Sequence, residues 1–336
     1  MNAEHSLTPK RKASGGRHWP RVSLVTPSYN QAQFLEDAIQ SVLSQDYPDL
    51  DYIIIDGGSI DGSPEIIQEY EGYLAFWISE PDEGQADAIN KGWRRASGEY
   101  VWWLNSDDML TPGSLHTAVE FLEQYPEVDL VYGDIVHVDE AGRRVGLWPY
   151  PDFDLADFLS SGLHSSQPGA LLRRSALERV GPLDIDYHYA MDSEFWLRLA
   201  LAGGQLARVA AQLAMFRVHQ EAKSQMGSGK AVEERYRLAE SVEEQAERDD
   251  RLKESLVPRM WSSIHIECSR IWMSAGQYQN CGQELSLALK TSPSLILRFE
   301  SWALAALALM GLVLGFKRTQ RIRLRLRHLR RAFRAG

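Results

Sequence analysis

The sequence predicts an α/β domain built on a mainly parallel sheet and followed by a purely helical appendage. Short apolar runs alternate with amphipathic helical patterns through residues 22–138. The run at 52–55 is apolar at every position, as a strand covered on both faces of a parallel sheet would be. From about Ala231 onward only helical periodicity remains. The 336 residues, 44% hydrophobic and 24% charged, suffice for one large domain or a medium domain with an appendage.

The elements follow in order. Residues 22–26 form a strand that ends in the turn Pro27-Ser28-Tyr29-Asn30. Phe34, Leu35, Ala38, Ile39, Val42 and Leu43 then share one face of a helix. After the strand at 52–55, Ser63-Pro64 supplies an N-cap and a first-turn proline for a second helix. A third helix runs over 85–96 with Ala86, Ile89, Trp93 and Ala96 inward. Residues 101–104 form the next strand, Thr111-Pro112 opens the helix after it, and 130–138 is a further strand. Residues 231–255 are densely charged, a solvated helix or a linker. Residues 258–292 read as a helical hairpin that turns at Gly276 and ends at Pro293, and no tandem repeat is present. The expected organisation is a flexible arm over 1–18, the α/β domain over 19–228, a helical region over 229–293, and an apolar helix with a basic amphipathic tail over 294–336.

Charge narrows the partners. The net charge is −10, yet the segment 317–336 holds nine Lys or Arg and no acid, so the preceding residues carry 27 basic against 46 acidic groups. An acidic body argues against a nucleic-acid binder, and the basic tail points to an anionic surface such as membrane lipid. Residues 301–316 are uncharged, about 24 Å of helix against the ~30 Å of a bilayer core. That stretch reads as membrane-associated, with a buried helix or a homodimer contact as the alternative. Cys268 and Cys281 are too few for a disulfide framework or a four-cysteine zinc site, so a reducing compartment is the default. The basic residues before Val22 are followed by no apolar run, so the folded body is expected to be cytoplasmic and peripheral on the cytoplasmic face of a membrane.

Three polar clusters follow directly on expected parallel strands: residues 27–30, 56–63 and 105–108. Ligands of open α/β sheets bind at the carboxyl ends of strands, so the three loops should converge on one cleft. Asp107 and Asp108 are adjacent carboxylates that repel each other unless a cation or sugar hydroxyls neutralise them. Thr111 is better placed than either to cap the following helix. Asp56 opens a glycine-rich turn that lets a ligand approach the backbone. Neither the dinucleotide fingerprint Gly-x-Gly-x-x-Gly nor a P-loop is present, which argues against a dehydrogenase or a P-loop kinase.

These residues resemble the family 2 glycosyltransferases, inverting enzymes with a GT-A fold that use nucleotide-diphosphate sugars. The matching pieces run in family order from about residue 20 to 225: Val25-Thr26-Pro27-Ser28-Tyr29-Asn30, the Asp56 loop, the stretch from Ser79 to Gly92, Leu104-Asn105-Ser106-Asp107-Asp108, the stretch from Ala190 to Leu199, and Phe216-Arg217-Val218-His219. The resemblance implies that Tyr29 and Asp56 hold the nucleotide base, Asp56 reading an edge of uracil, and that Pro27 and Asn30 also belong to the nucleotide-sugar site. It implies that Asp107 contacts the ribose or the metal, that Asp108 is the main ligand of Mn²⁺ or Mg²⁺, and that His219 can join it, with a lone surface histidine as the plain alternative. Asp87 and Lys91 either contact ribose and phosphates or form a plain i, i+4 salt bridge. Arg217 and Lys223 are phosphate partners by charge. Asp192 matches the catalytic base, with a helix cap as its plain alternative. His164, Gln167 and Trp196 flank the expected acceptor cleft, whereas Trp102 and Trp103 read as strand core. Two positions depart from the family pattern: Asn105 stands where the first acid of the metal motif is usual, and Met191 where an acid precedes the base.

The implied activity is metal-assisted transfer of a sugar from a nucleotide-diphosphate donor, expected to be a UDP-sugar, to a glycan or lipid-linked acceptor in surface polysaccharide synthesis. A sugar nucleotidyltransferase would carry a glycine-rich basic loop after the first strand, where this chain has Pro27-Ser28-Tyr29-Asn30. A non-catalytic scaffold on the same fold would be free to lose Asp108 or Asp192, and both are present.

Overall fold

The computed structural model describes residues 18–161, 163–219, 222, 229–246 and 256–291. Residues 1–17 of the expected arm, Lys223, Pro293 and the expected apolar and basic segments over 294–336 lie outside the described residues. The chain divides into two compact units, residues 1–153 with 165–219 and residues 154–164 with 220–336.

In the first unit nine strands form one sheet. β1 (Val22–Ser28) is buried at all seven positions and pairs in parallel with β2 (Leu50–Asp56) and β4 (Tyr100–Trp103). β3 (Phe76–Ser79) joins β2, also in parallel. This is the expected parallel half. Its helices are α1 (Ala32–Leu43), α2 (Ser63–Glu69) and α3 (Gln85–Arg95). Helix α3 approaches β1 closely because Gly92 has no side chain; a Cβ there would stand 2.4 Å from Val25 Cγ1.

Beyond β4 the sheet becomes mixed. β8 (Ala170–Arg173) runs antiparallel to β4 and to β6 (Leu130–Val138). β9 (Leu206–Arg217) is parallel to β6, while β5 (Met109–Leu110) and β7 (Arg144–Trp148) pair antiparallel with β9 and β6. Helices α4 (Ser114–Gln124), α6 (Arg174–Val180) and α7 (Met191–Leu201) complete this half. Trp102 and Trp103 are fully buried and stacked, as expected of strand core.

Two expected caps are relocated. Ser63 is the first residue of α2, whose N-cap is Gly62, and the Ser63 hydroxyl donates to Asp61. Helix α4 starts after Gly113, and Thr111 uses its hydroxyl on Ser114 and on the Gln212 carbonyl. Both starts use a left-handed glycine as N-cap, a conformation open to a residue without Cβ.

The second unit is helical. α8 (Gly229–Ala246) carries one buried face with Val232, Leu238, Ala239 and Val242, so the densely charged segment is amphipathic and not merely solvated. α9 (Val257–Ser274) and α10 (Tyr278–Thr291) form the expected hairpin, with Gly276 at φ +75° in the turn. α5 (Leu155–Ser160) also belongs here, and Ser263 Oγ donates to the Ser160 carbonyl. That excursion inside 19–228 went unseen because a six-residue helix leaves no readable period. No described helix is long and apolar enough to cross a membrane.

Candidate active site

The four parallel strands end on one edge of the sheet, and the loops that leave them build the site from three directions. After β1, Tyr29 is 63% exposed and Asn30 takes a left-handed φ of 50°. Asn30 locks the first loop to the second: its N–H donates to Ser59 Oγ at 2.8 Å, and its Oδ1 accepts the Ile60 N–H at 3.0 Å. Pro27 is buried inside β1 and paired with Ile55.

Asp56, the last residue of β2, is wholly buried where the second loop begins. Its Oδ2 accepts from the N–H groups of Gly58 and Ser59 and from Ser79 Oγ at 2.6 Å, and its Oδ1 from Ser59 Oγ at 2.5 Å. Asp56 has no exposure, and both its oxygens hold the loop. Sequence reasoning missed Ser59 and Ser79, two short hydroxyl residues that lie three and 23 positions away.

The Asn105–Asp108 turn after β4 is the most charged part of the site. Asp108 is 1% exposed; its Oδ1 accepts the Arg217 backbone N–H at 3.1 Å and its Oδ2 the Asn105 Nδ2–H at 3.2 Å. Burial first, and then the neighbouring Asp107 charge, push its carboxyl well above the usual carboxylate range. Asp107 Oδ2 lies 3.0 Å from Nε2 of His219, whose ring packs on Phe34 with centroids 4.7 Å apart. The structure thus brings Asp107, Asp108 and His219 together. Among the described residues no three such side chains close around a single metal position. The donors nonetheless suit a hard divalent cation, being two carboxylates and one imidazole. A carboxyl driven toward neutrality by burial and a like charge is also what a cation would stabilise in its ionised form.

Asn105 explains how the chain departs from an acid at that position. Its Oδ1 accepts from Gln85 Nε2 at 2.7 Å, while its Nδ2 donates to Asp108 and, at 3.1 Å, to Gln167 Oε1. An amide can donate and accept at once, as a carboxylate cannot.

Several of the expected ligand residues are buried or engaged by other groups of the protein. Arg217 is 1% exposed, and its guanidinium donates to the carbonyls of Asp107 and Glu140 and to Asp37 Oδ2, above the Phe34 ring. It staples the metal-motif turn to α1, and its fork is not turned to solvent to meet a phosphate. Trp196 is 2% exposed and packs on Tyr132 and Phe153, so it is core and not a surface for an acceptor sugar. Gln167 is likewise buried: its Nε2 donates to the Trp103 carbonyl, and its own carbonyl accepts from Trp102 Nε1. It acts on the site through Asn105. His164 belongs to the helical unit, where its Nε2 stands 3.7 Å from Glu267. Asp87 and Lys91 form the i, i+4 pair at 3.5 Å, and Lys91 also reaches Glu80 at 3.2 Å and the Pro81 carbonyl.

Asp192 occupies the first turn of α7, where a negative charge is favoured by the helix dipole. It is not the cap; Ala190 holds that position, and Asp192 Oδ2 accepts a 2.5 Å hydrogen bond from Ser165 Oγ. Tyr150 donates to the Ser165 carbonyl at 2.9 Å. Its phenol is pushed up by burial and then by the Asp192 charge. Ser165 and Gln167 are two residues apart, a reach of about 7 Å. The strip between them therefore joins the Asp192 carboxylate at one end to Asn105 and Asp108 at the other. The polar run Ser165-Ser166-Gln167 was the available signal for this link.

Comparison with known proteins identifies the family and the fold. The model for the family described as glycosyl transferase family 2 matches residues 23–181. An uncharacterized glycosyltransferase of Mycobacterium tuberculosis is 36% identical over 188 residues, 54% of this chain and 70% of that protein. A putative teichuronic acid biosynthesis glycosyltransferase of Bacillus subtilis, TuaG, is 41% identical over 106 residues, 31% of this chain and 42% of its own. Among solved structures, S. aureus TarS 1-349 in complex with UDP-GlcNAc superposes with a TM-score of 0.58 at 17% identity, covering 88% of this chain and 92% of that one. The mannosyltransferase PcManGT from Pyrobaculum calidifontis, in complex with GDP-Man and Mn²⁺, gives 0.54 at 21% identity, covering 93% and 86%. The fold is therefore that of the GT-A glycosyltransferases, and the chain belongs to glycosyl transferase family 2.

Proposed function

We propose that this glycosyltransferase moves a sugar from a UDP-sugar to a hydroxyl of a glycan or lipid-linked acceptor in surface polysaccharide synthesis, inverting the anomeric centre in a single displacement. The observation that carries this reading is the Ser165–Gln167 strip, which holds a proton-accepting carboxylate, Asp192, within one short span of the Asp107–Asp108 turn. An inverting transfer needs a base on one face of the anomeric carbon and charge stabilisation for the departing diphosphate on the other.

Asp192 takes the proton from the acceptor hydroxyl as that oxygen forms its bond to the anomeric carbon. The bond from that carbon to the diphosphate oxygen breaks, and the nucleoside diphosphate leaves with the electron pair. Ser165 orients Asp192, and the first-turn position on α7 favours its charge before the proton arrives. Asp108 and Asp107, with His219, would hold Mn²⁺ or Mg²⁺, which supplies Lewis-acid stabilisation of the leaving diphosphate. Exposed Tyr29 offers a ring face for a base to stack on.

The names of the TuaG relative and of the TarS and PcManGT complexes support a polysaccharide acceptor, a nucleotide-sugar donor and a cation. The basic composition of 317–336 supports a place at the anionic, cytoplasmic face of a membrane.

The test is thermal unfolding of the full chain with UDP, GDP, CDP and dTDP, each with Mn²⁺ and with EDTA. A ligand that binds only the folded state raises the midpoint by mass action. The expected result is a shift with UDP and Mn²⁺ that is absent with EDTA and in Asp108→Ala. A protein that no nucleotide stabilises would overturn the proposal.

A further inference from the structure

We propose that the β6–β7 hairpin docks on a phospholipid surface, seating Leu147 and Trp148 at headgroup level and holding Asp192 beside an acceptor anchored in the same bilayer. The proposal rests on the membrane-face reading above and selects the lipid-linked acceptor from the two classes named there.

β7 pairs with β6 alone, so its outer edge is open. Val145, Leu147 and Trp148 are 38%, 42% and 52% exposed, three large apolar side chains within four residues. Singly exposed apolar residues are ordinary, whereas a cluster marks a contact surface. Successive strand residues point to opposite faces, so Leu147 and Trp148 are open on both sides of the strand. A bound sugar would cover one face, and an interface that surrounds a projecting hairpin covers both. Between Arg144 and Tyr150 the chain reads Val-Gly-Leu-Trp-Pro, which offers a sugar's hydroxyls no side-chain partner except Trp148 Nε1. A second copy of the chain is a poor occupant as well. The five residues of β7 are few against the roughly 20–30 a side of a stable interface.

The composition suits a lipid interface. Trp148 stacks on His137 of β6, with centroids 5.5 Å apart and planes at 27°, and His137 in turn meets Phe216. The ring is thereby held in place, and indole is favoured where membrane meets water. Arg143 is engaged by Asp139 at 2.8 Å, while the guanidinium of exposed Arg144 has no ion pair or hydrogen bond among the described residues. It is free to meet a lipid phosphate. Glu140 at the turn offsets that charge, so the apolar side chains carry most of the contact. The open N–H and C=O groups of the β7 edge confine it to headgroup level, where water still reaches them.

Both ends of the hairpin are tied to the site. Arg217 donates to the Glu140 carbonyl at the turn and to the Asp107 carbonyl. At the other end Tyr150, two residues past Trp148, donates to the Ser165 carbonyl, and Ser165 Oγ holds Asp192. A surface that receives the hairpin therefore lies beside the base, where an acceptor hydroxyl must arrive.

The test is a nitrobenzoxadiazole label on Leu147→Cys in the full chain, mixed with vesicles of phosphatidylcholine and phosphatidylglycerol. Cys268 and Cys281 are fully buried and should stay unlabelled, which the wild type checks. Tyr125→Cys, exposed at the end of α4, carries the control label. The chain should sediment with the vesicles, and the label at position 147 should brighten severalfold and shift to the blue while that at position 125 does not. Adding Arg144→Gln should leave sedimentation unchanged and lower the ratio of docked to undocked label about fivefold, the factor one basic residue contributes near an anionic surface. Full sedimentation with equal responses at the two positions overturns the proposal and leaves the membrane-face reading standing. A label at position 147 that brightens with protein concentration alone also overturns it, because a second copy then covers the strand. A chain that does not sediment removes the membrane-face reading, and the proposal falls with it.

Discussion

Replacing Arg217 separates a structural staple from a phosphate ligand. In Arg217→Ala the buried stem over Phe34 is lost, the Asp107 carbonyl loses its side-chain donor, and the Glu140 carbonyl must find water. The Asp37 pair adds little, because Asp37 is 55% exposed and such pairs contribute ~0–1 kcal/mol. A carbonyl left unsatisfied costs about 1–3 kcal/mol, and the lost packing adds to it, so the total is about 2–4 kcal/mol. For a unit of this size the melting midpoint should fall by roughly 5–15 °C. Differential scanning calorimetry with and without UDP and Mn²⁺ measures it. Arg217→Lys, which can satisfy only one of the three acceptors, should fall between the variant and the wild type. A variant that melts within a degree of the wild type while its nucleotide affinity collapses would refute the staple and restore Arg217 to the phosphates.

Asn105→Asp restores the acid usual in the family but sets a third acceptor against Asp108 Oδ2 and Gln167 Oε1. Urea unfolding should show a loss of about 2 kcal/mol, from one buried donor removed and two acceptors stranded. Gly92→Ala places its Cβ 2.4 Å from Val25 Cγ1, so overpacking of about 1–3 kcal/mol should outweigh the helix-propensity gain of up to ~1 kcal/mol in the same assay. Ser165→Ala should lower kcat by about tenfold with an unchanged donor KM, and Ser165→Thr should recover most of it; equal losses in both parameters would mean that Ser165 only supports the fold.

The parallel half of the sheet was legible because the buried stretches 52–55 of β2 and 100–103 of β4 read as continuous apolar runs, with a mostly apolar β1 between them. β5 has two residues and β8 four, too short to show a period, so these two strands escaped while β6 beside them was expected. Site loops were legible for a related reason, since short polar clusters stand out directly after apolar strands. The division of labour inside them was not. Asp56 and Arg217 carry the charges that suggest ligands, and the sequence did not show that hydrogen bonds with Ser79 and Asp37, 23 and 180 positions away, also engage them within the protein. Charge type is visible in a sequence, whereas burial is settled by partners distant along it. Asp192 shows the reverse: a position that reads locally as a helix cap becomes a held carboxylate through Ser165 on another segment.

The central claim, that Asp192 takes the proton in an inverting displacement, is tested most directly by ¹H NMR of the sugar released when the enzyme, with Mn²⁺, hydrolyses an α-linked UDP-sugar such as UDP-GlcNAc. Water stands in for the acceptor, and the first-formed anomer is read before mutarotation mixes the two. The account predicts the β anomer first, with a rate at least about 10²-fold lower in Asp192→Asn. Release of the α anomer first, or an unchanged rate in Asp192→Asn, would contradict it.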